Sequence, residues 1–138
     1  MTFNDNEIYF GQFQNNHRHG QGTYYHEDGS KYEGQWVQGK ATGFGKHTFD
    51  DGSYYEGSWL NDERHGKGTQ HVCKKHSQST YEGDWKNDVR HGFGTYTTRG
   101  GVYTGQWKSD KAHGSGMFRY NDTNEVKRGY WEKGVCVD

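Results

Sequence analysis

Tyr81-Glu82-Gly83-Asp84-Trp85-Lys86-Asn87-Asp88-Val89-Arg90-His91-Gly92-Phe93-Gly94-Thr95-Tyr96 is the stretch that decides the fold. It reads Tyr-x-Gly-x-Trp, a short polar turn, then His-Gly-x-Gly-Thr-aromatic. The same pattern starts again at Tyr9 (with Phe13 in place of Trp), at Tyr32 (with Thr42-Gly43 in place of His-Gly), at Tyr55 and at Tyr103. A worn copy near Lys127 keeps Arg128-Gly129-Tyr130-Trp131 but lacks the tyrosine. The first glycine of each copy falls at Gly11, Gly34, Gly57, Gly83, Gly105 and Gly129, about 23 residues apart. A period in that range marks an array of small stacked units.

Inside one copy, Tyr, Gly and Trp stand at i, i+2 and i+4, so all three point to one face of a β-strand. Glu33, Glu56 and Glu82 lie between them and face the other way. The second half of each copy carries alternate glycines, as at Gly66 and Gly68 or Gly92 and Gly94. Glycine weakens a strand unless something needs the space. Here the expectation is that tyrosine and tryptophan rings lie across the bare backbone of neighbouring strands. Three residues beyond each Trp or Phe come Asn16, Gly39, Asp62, Asp88, Asp110 and Gly134. These types tolerate a left-handed backbone, so each copy is predicted to be a β-hairpin. Asp28-Gly29, Asp51-Gly52 and Gly100-Gly101 mark a second turn between copies. The junction Val72–Ser79 is longer, lacks Asp-Gly, and is expected to bulge as a loop.

The fold expected is therefore all-β: one elongated antiparallel sheet of successive hairpins, about five to six copies long. Two strands per copy advance it by roughly 10 Å, giving a rod of about 50–60 Å. Residues 1–8 read as the tail of a repeat, full repeats begin near 9, 32, 55, 81 and 103, and residues 127–138 read as a degenerate half-repeat. Strand edges at both ends would then be unpaired, which invites a capping partner or end-to-end self-association. Only 28% of the 138 residues are hydrophobic, but 17% are aromatic and recur in register. The core must then be built from rings, which bury large areas each. A lone hairpin cannot offset its own ordering entropy, whereas stacked copies cover one another's faces.

The composition narrows the function. A net charge of −1 gives no general attraction to nucleic acid. There is no apolar run of membrane-spanning length and no basic-then-apolar leader, and with two cysteines the expectation is a reduced, cytoplasmic protein. His19, His65, His91 and His113 share one repeat position, beside Arg18, Arg64 and Arg90 in three copies. Residues set by a repeat serve the repeat, so each imidazole is expected to cap a turn or bond the neighbouring hairpin. His71, Cys73 and His76 are soft ligands, but zinc needs a second pair that the sequence does not supply. Cys73 and Cys136 lie too far apart along the array for a disulfide. Gly92-Phe93-Gly94 lacks the third glycine and the helix of a dinucleotide fingerprint. No serine, cysteine or carboxylate pair recurs in a catalytic arrangement, so no enzyme, metal or cofactor is expected.

Tyr-Glu-Gly-x-Trp followed by His-Gly-x-Gly-Thr, in register at about 23 residues, resembles the MORN repeat (membrane occupation and recognition nexus). The resemblance covers nearly the whole chain, with Phe13, Thr42 and the last copy as departures. It implies an elongated hairpin array used as a non-enzymatic interaction scaffold, in a cytoskeletal, ciliary or flagellar axonemal setting. A single sheet leaves part of its aromatic face open. The expected groove for a partner helix or extended segment is lined by Tyr32, Trp36, Tyr55, Trp59, Tyr81, Trp85, Tyr103 and Trp107. The alternative implied by the family is a phospholipid-binding module, with Arg64, Arg90, Lys74, Lys75, Lys86 and Lys108 facing the lipid.

Overall fold

The computed structural model describes residues 2–4, 6–74 and 77–137, with side chains from residue 6 onward. Regular structure among them is all strand: β1 (Thr2–Asn4), β2 (Glu7–Gln14), β3 (His17–Tyr25), β4 (Lys31–Val37), β5 (Lys40–Thr48), β6 (Tyr54–Leu60), β7 (Glu63–Lys74), β8 (Ser77–Lys86), β9 (Val89–Thr98), β10 (Gly101–Lys108), β11 (Lys111–Tyr120), β12 (Val126–Glu132) and β13 (Val135–Cys136). They form one open antiparallel sheet of thirteen described strands in sequence order, as the repeat pattern requires. Each strand bonds only to the strand before it and the strand after it.

The hairpins close through two-residue turns. Asn15-Asn16, Gln38-Gly39, Asn61-Asp62, Asn87-Asp88, Ser109-Asp110 and Lys133-Gly134 all have positive φ at both positions. Two consecutive left-handed residues give a turn whose twist matches that of the strands. The sequence pattern had marked only the second residue of each pair. Each turn after the first also reaches the previous copy. Asp88 N donates to Arg64 O at 3.0 Å, Asp110 N to Arg90 O at 3.1 Å, and Asp62 N to Ala41 O at 2.9 Å.

The glycines form a row across the sheet. Gly11 pairs with Gly22, Gly22 with Gly34, Gly34 with Gly45, and so on through Gly57, Gly68, Gly83, Gly94, Gly105, Gly116 and Gly129. A tyrosine from the adjoining strand lies over every second one. A methyl group on Gly22, Gly45, Gly68, Gly94 or Gly116 would overlap the phenol of Tyr9, Tyr32, Tyr55, Tyr81 or Tyr103 respectively. Rings over bare backbone are thus the packing unit. The other second-strand glycine has a different task. In the five full copies the register shifts between the first-strand Gly and the Trp or Phe, as between Gly34 and Trp36, and Gly43 sits opposite that shift with φ +105. This is a β-bulge, which the alternating pattern did not reveal.

Two further expectations need correction. The junction between the third and fourth copies is not a bulging loop. Val72 pairs with Ser79, Cys73 with Gln78 and Lys74 with Ser77, so the extra residues lengthen β7 and β8 instead. Polar β-compatible residues such as Thr80 and Gln78 can extend a ladder as readily as they can leave it. His65 neither caps a turn nor bonds a neighbour: its Nδ1 is buried without a partner. It sits inside the bulge, where the positive-φ glycine sets the local geometry. At the matching position Thr42 Oγ1 does accept the Asn61 N–H, at 3.1 Å.

Candidate partner-binding face

The aromatic face is built from a zigzag of rings. Tyr32 meets Trp36 edge-to-face at 5.0 Å and Trp59 at 5.3 Å. Tyr55 meets Trp59 at 5.0 Å and Trp85 at 5.3 Å. Tyr81 meets Trp85 and Trp107 at 5.1 and 5.2 Å, and Tyr103 meets Trp107 and Trp131, each at 5.3 Å. Each tyrosine therefore joins its own copy to the next, in the perpendicular geometry that ring quadrupoles favour. The polar tips are satisfied except at Trp131, whose Nε1 is buried without a partner. The Tyr32, Tyr55, Tyr81 and Tyr103 hydroxyls donate to the carbonyls of Gln35, Ser58, Asp84 and Gln106. The indoles of Trp36, Trp59, Trp85 and Trp107 donate to the carbonyls of Gly22, Gly45, Gly68 and Gly94. Burial raises the pKa of these tyrosines, that of Tyr55 to about 12.

The residue between Gly and Trp, given no role by the sequence pattern, staples the bulge. Gln12, Gln35 and Gln106 each accept a backbone N–H across the hairpin through Oε1, from Gln21, Phe44 and Ser115. Asp84 does the same for Phe93.

The structure brings all eight expected groove residues onto this face. Tyr32, Trp36, Tyr55, Tyr81, Trp85, Tyr103 and Trp107 are buried. Trp59 is the partly open one, and it packs against both halves of the core. The rim cations divide. Arg64 and Arg90 are held by Asp88 and Asp110, at 3.0 and 3.2 Å. Lys74, Lys86 and Lys108 are exposed; Lys75 and His76 lie outside the described residues. Neither Cys73 nor Cys136 is in a disulfide, and no group of three His, Cys, Asp or Glu among the described residues is placed to hold a metal ion. None of the described segments is a helix long and apolar enough to cross a membrane.

Three concavities open along the aromatic face between copies. One lies beside Ala41 and Trp59, one beside Arg64 and Tyr96, and one beside Ala112 and Phe118. The model of the MORN repeat matches residues 9–31, 32–54, 55–71, 81–102 and 103–125. The chain belongs to the MORN-repeat family. No curated protein gives a significant match to it. The MORN array accounts for the bulk of the chain and makes it a repeat scaffold, a binding module of stacked hairpins.

Proposed function

We propose that this MORN array is a non-enzymatic scaffold. In this reading it docks a protein partner, a helix or an extended segment, along its aromatic face, within a cytoskeletal or axonemal assembly of the cytoplasm. The observation that carries the docking reading is Trp59. It is the ring that links the two core clusters, yet it stays partly open beside a concavity where its counterparts Trp36, Trp85 and Trp107 are covered. An aromatic ring held rigidly at the rim of a concave surface is the kind of anchor that protein interfaces use. The cytoskeletal and axonemal setting is drawn from the family resemblance.

The test is affinity capture from the native cell with the full chain, compared with Trp59→Ala and with an exposed far-face control, Phe44→Ser. Partners lost only with Trp59→Ala, while thermal unfolding stays cooperative, support the reading. Partners that bind all three proteins equally refute it. A tagged chain that does not follow axonemal or cytoskeletal fractions refutes the setting. The phospholipid alternative has less support, because Arg64 and Arg90 spend their guanidinium groups on Asp88 and Asp110.

A further inference from the structure

Resting on that docking reading, we propose that the concavity over Ala41 is a socket for an arginine side chain presented by the partner protein. The chain itself supplies the template. Arg90 donates from its backbone N and Nε to Asp110 Oδ1, at 2.8 and 3.2 Å, and from Nη2 to the Asp110 carbonyl at 2.6 Å. Its guanidinium lies 4.7 Å from the Trp107 ring and 5.3 Å from Tyr96. Arg64 repeats the arrangement on Asp88 and Trp85, with its guanidinium 4.5 Å from the indole. Arg18 lies 4.8 Å from Tyr24 and 4.7 Å from Trp36, rings that stand 6.1 Å apart.

At the same position the second copy has Ala41, and the acceptors remain. Asp62 Oδ1 takes the Ala41 N–H at 2.8 Å, as Asp110 takes that of Arg90. Among the described residues no cationic side chain pairs with the Asp62 carboxylate. His47 and Trp59 stand 6.4 Å apart and nearly parallel, at 29°, where Tyr24 and Trp36 stand around Arg18. Both rings border a concavity of about 330 Å³, lined also by Tyr32, Ala41 and Asp62. Arg18 also lines it, donating to the Gly39 carbonyl at 2.8 Å. Guanidinium groups in consecutive copies are already accommodated at Arg64 and Arg90.

The chemistry selects arginine. A planar guanidinium can lie on the indole while donating sideways to a carboxylate and a carbonyl; an ammonium cannot do both. The other alanine of this position, Ala112, makes no such socket. Its turn residue is Gly134, which has no carboxylate, and the following Trp131 is buried.

The test follows the indole N–H resonances of the isotope-labelled full chain. They are titrated with N-acetyl-arginine-N′-methylamide and with the lysine counterpart at matched ionic strength. Arginine should shift the Trp59 resonance saturably, and lysine should not. Ala41→Arg should displace that resonance at the outset and abolish the response. Asp62→Asn should weaken binding roughly tenfold, the scale of a charge-assisted hydrogen bond; it also keeps the test sharp if Ala41→Arg folds poorly. The proposal is overturned by an absent or unsaturable Trp59 shift, by equal responses to lysine, by a response that survives Ala41→Arg, or by an affinity that Asp62→Asn leaves unchanged. It is also overturned if Trp59 shifts with protein concentration alone, which would make a second copy the occupant. Failure of the capture experiment for every variant would instead remove the docking reading, whatever the titration shows.

Discussion

Gly68→Ala isolates the contact on which the array depends. Tyr55 is 1% exposed, and its ring lies over Gly68 with its hydroxyl donating to the Ser58 carbonyl at 2.8 Å. The ring cannot swing aside, because Trp59 and Trp85 hold its two sides at 5.0 and 5.3 Å. A methyl group on Gly68 would overlap the phenol. Gly68 does not have positive φ, so the penalty is steric and not conformational. Overpacking of this kind costs about 1–3 kcal/mol. Loss of glycine's freedom in the unfolded chain returns about 0.4–1 kcal/mol. Tyr55→Ala alone should cost about 3–5 kcal/mol, as for other large rings. In the double variant the methyl group meets a void, so the overlap penalty vanishes and the two effects fall short of adding by about 1–2 kcal/mol. Urea unfolding followed by tryptophan fluorescence and by far-ultraviolet circular dichroism reads this, provided the two transitions coincide. Tyr55→Leu serves if Tyr55→Ala does not fold. Gly52→Ala is the control: nothing lies within 4 Å of it, its φ is +92, and its cost should add to that of Tyr55→Ala. Additivity within about 0.5 kcal/mol for the Gly68 pair would refute ring-on-glycine packing.

The tyrosines set an alkaline limit. Burial raises the pKa of Tyr9, Tyr24, Tyr32, Tyr55, Tyr81 and Tyr103, so above pH 10 the unfolded chain gives up protons that the fold retains, and Tm should fall as pH rises past 10; a flat Tm would refute this. His47 acts at the other end. Burial, then the neighbouring His26, holds its pKa below 6.5, so stability should drop as pH falls below 6.5, and His47→Gln should flatten that part of the Tm profile. Arg64→Ala removes the bonds to Asp88 and the stacking on Trp85, for a loss of about 1–2 kcal/mol by urea unfolding; Arg64→Lys should recover less than half, for want of the planar fork.

Much of this was legible because a repeat states each rule several times. Tyr, Gly and Trp at alternate positions placed the rings on one face, and Asp62, Asp88 and Asp110 marked the turns. The bulge was hidden because Gly43 and Gly45 look alike in sequence, although one supplies a left-handed backbone and the other supplies space. Gln35 stands between Gly34 and Trp36, a position to which the repeat pattern gives no role. Its Oε1 bond to Phe44 N exists only because the bulge turns that N–H toward it. The stacking of Arg18, Arg64 and Arg90 on the Trp of the following copy was equally out of reach, since it joins residues 17–21 positions apart across a turn. At Val72–Ser79 length alone could not separate a loop from two longer strands. The expected groove residues show why a ring that builds a face is not thereby open to a partner. Alternation fixes the side a ring points to, but its cover comes from the neighbouring copy, and at Trp59 that cover is incomplete.

Alanine at position 41 is tolerated for a physical reason. The copies are joined by backbone bonds, such as Asp62 N to Ala41 O and Ala41 N to Asp62 Oδ1, which do not depend on the side chain at position 41. They are joined again by Tyr32, whose ring touches both Trp36 and Trp59. Replacing arginine by alanine there removes only one stacked guanidinium and its charge-assisted bonds, about 1–2 kcal/mol, from an interface with other supports. Position 41 can therefore vary without dissolving the array, whereas Gly45 and Tyr32 beside it cannot. A scaffold of near-identical copies gains a distinguishable site where a position of that first kind departs from the repeat, and Ala41 beside Asp62 and Trp59 is such a departure.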